Sequence, residues 1–107
     1  MLQKIINELK QDKTFLASVA HWETIPAKKG IFVSIPGDLD TRLVKALVHR
    51  GIKKLYSHQK RCYDEVRKGH NVVVVTPTAS GKTLSYNLPV MQTLLEDQSA
   101  RALYLFP

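Results

Sequence analysis

Apolar side chains recur every three or four positions at the start of the chain, at Leu2, Ile5, Ile6 and Leu9, and again after polar Lys10 to Lys13 at Phe15, Leu16 and Val19. That spacing gathers them on one side of a 3.6-residue helix and predicts two short helices or one interrupted helix. From His21 to Pro36 the pattern is irregular and punctuated by Pro26, Gly30 and Pro36, which reads as an extended arm. Trp22 and Phe32 are its anchors, either packing the arm onto a core or stacking on nucleic-acid bases.

Helical spacing then resumes. Asp38 is expected to cap a helix running through Arg50, with Leu39, Leu43, Ala46 and Leu47 as its apolar face and Gly51 as its end. After Ile52 to Tyr56, Ser57 is expected to cap another helix, with Gln59 on its first turn and Cys62, Tyr63 and Val66 on its buried side, until Gly69 stops it. Val72 to Val75 are four β-branched residues in a row, the pattern of a strand buried on both faces of a parallel sheet, predicted over Val72 to Thr76. A further helix begins at Lys82, its packing face drawn from Leu84, Leu88, Met91, Leu94 and Leu95; Pro89 inside it should bend or shorten it. Beyond the connection at Glu96 to Ala100, alternation through Ala102 to Phe106 predicts a second strand. That pattern still runs at Pro107, which reads as a segment of a longer polypeptide, a native edge strand being the alternative. Two strands with uncovered faces and edges predict marginal stability or self-association.

Between the valine run and the last helix, Thr76, Pro77, Thr78, Ala79, Ser80, Gly81, Lys82 and Thr83 form a small-residue turn that delivers Gly-Lys-Thr to a helix start. A helix start presents unpaired N–H groups and the positive end of the helix dipole, so the pattern reads as a phosphate-binding loop. The Lys82 ammonium suits the β- and γ-phosphates, and the Thr83 hydroxyl suits a bridging Mg²⁺. The general loop begins with glycine where this chain has Thr76, so the turn must be entered without φ > 0 at that position.

Composition narrows the picture. With 107 residues and 44% hydrophobic content, the chain can form one modest domain and is too small for a motor. Its net charge is +7, and the excess is concentrated in Arg42, Lys45, Arg50, Lys53, Lys54, Lys60, Arg61, Arg67 and Lys68 against only Asp64 and Glu65 in that stretch. Such a run serves a polyanionic partner or forms the solvated face of two helices, and composition does not decide between them. The lone Cys62 allows neither a disulfide framework nor a thiolate cluster and reads as a small buried side chain. No signal peptide or membrane-length apolar run is visible, so a cytoplasmic location is expected.

Four pieces, LYSHQ at 55–59, VTPTASGKT at 75–83, LSYNLPV at 84–90 and RALYLFP at 101–107, together resemble superfamily 2 helicases, and most of all the bacterial mitomycin-repair helicases. The resemblance implies an α/β fold: an incomplete RecA-like P-loop NTPase domain over 52–107, preceded by a mainly helical and irregular extension over 1–51. Thr76 agrees with that superfamily, and a kink at Pro89 is then expected rather than an early stop. It further implies that Gln59 reads the adenine of ATP, that Leu55 or Tyr56 covers the base, and that Thr76 through Thr83 hold the phosphates. Lys82 and Thr83 become the catalytic pair, with Mg²⁺ on Thr83. The acidic pair of motif II and the arginines of a second domain match nothing in this chain; Asp64 and Glu65 precede the valine run and do not take that role. For the parent protein the resemblance implies unwinding of single-stranded or tailed duplex DNA, 3′-to-5′ movement, a role in DNA repair and a C-terminal four-cysteine zinc region. The isolated chain is expected to be inactive. Two alternatives stay open: another P-loop hydrolase or kinase, which gives no account of Gln59, and a non-catalytic basic module that binds nucleic acid.

Overall fold

The computed structural model describes residues 1–77 and 80–106. The first periodic stretch forms two helices, α1 (Leu2–Leu9) and α2 (Lys13–Ala17). Asp12 separates them, its carboxylate accepting from the N–H groups of Thr14 at 2.8 Å and Phe15 at 3.0 Å and so starting α2. Neither helix buries a residue. The two aromatic anchors of the arm behave differently. Lys10 Nζ lies 4.9 Å from the centre of the Trp22 ring, which ties that side chain back to the end of α1. Phe32 begins strand β1 (Phe32–Val33), which pairs antiparallel with β2 (Leu55–Tyr56) in the register Phe32 to Tyr56 and Val33 to Leu55.

The next helix, α3, spans Thr41–His49 and is capped by Asp40, not Asp38. Asp40 accepts from the Arg42 N–H at 2.8 Å, whereas Asp38 accepts from the Tyr63 hydroxyl at 3.2 Å and is engaged elsewhere. Of the expected apolar face, Leu47 is buried and Leu43 packs against the core, but Ala46 is exposed and Val44 packs inward in its stead. Gly51 ends the turn with φ +77. Helix α4 (Ser57–Arg67) has Tyr56 as its cap, so Ser57 is its first helical residue, not its cap. Two otherwise unpaired donors explain the shift: the Tyr56 N–H donates to Gln59 Oε1 at 2.8 Å, and the Ser57 N–H donates to the Ile31 carbonyl at 2.9 Å. Cys62 and Tyr63 are buried as expected, while Val66 is exposed.

Helix α5 (Lys82–Glu96) continues through Pro89. Its buried face consists of Ser85, Leu88, Pro89 and Gln92, whereas Met91 and Leu94 are exposed at 47% and 38%. The face is therefore rotated from the expected leucine and methionine stripe, because small Ser85 and a hydrogen-bonded Gln92 occupy the inner positions where α5 packs on α4. The core comprises Leu39, Leu47, Leu55, Tyr63 and Leu88, with Val33, Ile35, Leu43, Val44, Ile52 and Leu84 packed around it. Burial first, and then the neighbouring Asp38 charge, push the Tyr63 hydroxyl up to about 12.

Both expected strands after α4 need correction. Neither 72–76 nor 102–106 joins a hydrogen-bonded ladder among the described residues. Val73 and Val75 are each 88% exposed, as are Leu103 and Leu105 at 84%. An apolar run fixes readiness to extend, but a strand requires a neighbour to accept its ladder, and these two segments do not pair with each other. The later one is held to α5 instead, through the Tyr104 hydroxyl donating to Asn87 Oδ1 at 2.8 Å and Tyr104 meeting Tyr86 edge-on at 6.0 Å. With α1, α2 and these segments outside the core, the radius of gyration is 20.3 Å. A compact chain of this length would measure about 13 Å.

Candidate functional site

Gly81 precedes α5 in the left-handed region, φ 77 and ψ 26, and turns the chain so that Lys82 and Thr83 open the helix. The first turn of a helix has N–H groups with no intrahelical acceptor, so this end is electropositive. The Lys82 ammonium folds back over the loop and donates to the carbonyls of Thr76 and Pro77, each at 2.8 Å. Thr76 Oγ1 and Ser80 Oγ are hydrogen-bonded at 2.6 Å across the turn. Thr78 and Ala79, also expected in the loop, lie outside the described residues.

Gln59 stands on the other side of Gly81. Its Nε2 donates to the Gly81 carbonyl at 2.9 Å while its Oε1 accepts from the Tyr56 N–H at 2.8 Å, and the side chain is only 4% exposed. Two segments separated by 22 positions thus meet at the loop. Tyr56 lies beside them with its ring stacked on Phe32 at 4.6 Å and on His58 at 5.6 Å. Leu55 is fully buried in the core. Its side chain is therefore unavailable as a cover for a base, which leaves Tyr56 of the two.

Of these groups Gly81, Gln59 and Tyr56 line a cleft of about 990 Å³, whereas Lys82, Thr76 and Ser80 are not among its lining residues. Gly81, Thr83 and Leu84 of the α5 start, Tyr56 and Gln59, and Leu43 and Leu47 of α3 all line it. Phe32, from the arm, also lines it. Its ring was legible as an anchor, but nothing in the sequence tied it to this cleft; the apolar face of α3 likewise carried only a core signal.

The basic stretch divides in two. Arg42 pairs with Asp40 at 2.7 Å, Lys60 with Asp64 at 2.6 Å, Arg67 with Glu96 at 2.6 Å and Lys68 with Glu65 at 2.9 Å. Among the described residues no ion pair engages Lys45, Arg50, Lys53, Lys54 or Arg61, and Arg50, Lys53 and Lys54 line the cleft. Asp64 and Glu65 serve these local pairs on α4; hydrogen bonds from Lys68 and then His70 hold the Glu65 carboxyl down at about 2. Burial pushes the Cys62 thiol up, which suits an inert core side chain. Among the described residues no three His, Cys, Asp or Glu side chains group as metal ligands, and no helix is long and apolar enough to cross a membrane.

The left-handed glycine, the lysine and threonine at a helix start and the glutamine held against them form a nucleotide-loop arrangement, and residues 56–107 match the family model of DEAD/DEAH box helicases. Along nearly its whole length the chain is similar to parts of particular ATP-dependent helicases. It is 45% identical over 107 residues, all of this chain and 14% of the relative, to the uncharacterised ATP-dependent helicase YprA of Bacillus subtilis. Against the ATP-dependent helicase hrq1 of Schizosaccharomyces pombe it is 31% identical over 109 residues, 99% of this chain and 10% of the relative. A crystal structure of the DUF1998 helicase MrfA bound to DNA and AMPPNP superposes with a TM-score of 0.81 at 44% identity, over 98% of this chain and 14% of that one. The chain thus spans about a seventh or less of these relatives.

Proposed function

We propose that this chain forms the ATP-binding start of an ATP-dependent DNA helicase, with residues 52–107 opening its first RecA-like domain and residues 1–51 preceding it as an extension. The carrying observation is the Gln59 amide held on the Gly81 carbonyl at 2.9 Å, which joins the glutamine segment to the phosphate loop at one cleft. That contact leaves the carboxamide one further N–H and one further lone pair, the donor and acceptor needed for the N6 and N7 edge of adenine. Tyr56 would cover the base. Lys82 would leave the Thr76 and Pro77 carbonyls for the β- and γ-phosphates, with the loop from Thr76 to Thr83 around them and the Thr83 hydroxyl on Mg²⁺. Bound Mg²⁺-ATP supplies the phosphoryl group for in-line attack by water. The donor set fits that ligand: an ammonium already held among loop oxygens, a helix start and a hydroxyl beside it. The carboxylates and arginines that complete hydrolysis are expected outside these residues, so the isolated chain should not turn over ATP.

DNA as partner is supported by the DNA-bound MrfA relative. A single-stranded or tailed duplex substrate, 3′-to-5′ movement, a repair role, a cytoplasmic setting and a zinc region elsewhere in the parent extend the same reading. The test is ATP hydrolysis by the full-length protein without nucleic acid, with single-stranded DNA and with RNA. Strong stimulation by DNA that disappears in Lys82→Ala is the expected result. Hydrolysis indifferent to nucleic acid would favour another P-loop enzyme, and DNA binding that survives Lys82→Ala with no hydrolysis would favour a basic binding module.

A further inference from the structure

Gln92 is polar, only 3% exposed, and lies on the inner face of α5 well away from the phosphate loop. From the helical rise it sits about 15 Å along the axis from Lys82. Its Oε1 accepts from the Asp40 N–H at 2.9 Å, and its Nε2 donates to Glu96 Oε1 at 2.6 Å. Both ends of the amide are thus read by partners of opposite kind, and a flipped amide would set donor against donor at Asp40 and oxygen against carboxylate at Glu96.

Each partner is itself fixed. Glu96 receives the Arg67 guanidinium through two bonds, at 2.6 Å and 2.9 Å, which anchors it to the end of α4. Asp40 is the cap of α3, its carbonyl accepting from Leu43 at 2.9 Å and Val44 at 3.0 Å. Among the described residues, the Asp40 to Gln92 bond is the one hydrogen bond that ties the α3 cap to α5. Leu43 and Leu47 of α3 and Leu84 and Leu88 of α5 belong to the same apolar cluster, which carries no directional bond between the two helices. Residues of α3 and of the α5 start both line the cleft.

We infer that Gln92 is a positioning residue for nucleotide binding: by joining the α3 cap to the Arg67–Glu96 pair, it fixes where the cleft-lining residues of α3 stand, without touching the ligand. This rests on the nucleotide reading of the cleft. Loss of the bond frees α3 to drift, weakening the grip on the base while leaving the phosphate chemistry at Lys82 intact.

The experiment measures kcat and KM for ATP, and the affinity of a fluorescent ADP analogue, in the full-length protein and its Gln92→Leu, Gln92→Glu and Gln92→Glu/Glu96→Gln forms. Gln92→Leu should raise KM and the analogue's Kd about three- to tenfold, the effect of one net hydrogen bond, with kcat within about twofold. Gln92→Glu keeps the acceptor for Asp40 but sets two carboxylates together and should weaken binding as well. The exchanged pair restores a donor facing an acceptor and should recover most of the affinity. An unchanged KM in Gln92→Leu, or a kcat that falls with KM constant, overturns the inference. Should Gln92→Leu fail to fold, the exchanged pair decides: an affinity no better than that of Gln92→Glu overturns it. Lys82→Ala separates the two readings. If wild type does not bind the analogue, or Lys82→Ala binds it equally well, the nucleotide reading fails and this inference with it; if Lys82→Ala loses binding, the Gln92 forms judge the inference alone.

Discussion

At Gly81 the backbone is left-handed, φ +77, and a Cβ there would come within 2.6 Å of Gln59 Nε2. Gly51 shares the same φ but has open space around it. Alanine at a left-handed position costs about 1–2 kcal/mol from the backbone alone. Gly51→Ala should show that cost only, whereas Gly81→Ala should lose more local stability and also weaken nucleotide binding, because Gln59 must move. Hydrogen exchange at the first turn of α5 and the end of α3, in the full-length protein, measures the two; equal losses would mean that the Gln59 contact carries nothing. Asp40 offers a second test at this scale. Hydrogen bonds from the Arg42 side chain and backbone hold its carboxyl down at about 2, below the usual 3.8. Its folded-state pKa is depressed, so its contribution to stability is complete above 3.8 and disappears as pH falls through about 2. A carbon-detected titration of Asp40 should follow that lower value, and an ordinary carboxylate titration would show the Arg42 pairing to be absent in solution. Asp40→Ala should destabilise α3 through the lost cap.

At the scale of elements, Pro89 sets two terms against each other. Proline inside a helix costs about 3 kcal/mol relative to alanine. Trimming its buried ring removes roughly two methylenes, about 1.6 kcal/mol of burial at about 0.8 each. Pro89→Ala should therefore stabilise α5 by about 1 kcal/mol, seen as slower amide exchange along the helix; faster exchange would mean that the ring's packing dominates. The helices were legible because their period is local: Leu2 to Leu9 and Thr41 to His49 carry their own spacing, and Gly51 and Gly69 end helices wherever they stand. Caps were misplaced by one or two residues where competing donors decided. Asp38 and Asp40 are equally good caps on paper, and the Tyr63 hydroxyl takes the first. The valine run and Ala102 to Phe106 were misread for a different reason, since strand formation depends on a partner backbone that no local pattern encodes.

For the whole molecule, the exposed sides of Val73, Val75, Leu103 and Leu105 make the isolated 107-residue chain prone to associate through unpaired apolar edges. Sedimentation velocity should show a mass that rises with concentration, and a concentration-independent monomer with a cooperative thermal transition would sink this expectation. The candidate site was half legible. Gly81, Lys82 and Thr83 read as a phosphate loop only with the valine run before them and the helix they open, whereas the meeting of Gln59 with Gly81 is long-range, and Phe32 and α3 entered the cleft with no chemical signature of their own. The same geometry bears on how the chain can be divided. Strand β1 supplies the ring against Tyr56, the Ile31 carbonyl accepts from the first turn of α4, and α3 contributes Leu43, Ala46 and Leu47 to the cleft lining. A protein engineer who spliced at Ile52 to graft the loop onto another scaffold would carry over every letter of the motif and leave its pocket behind.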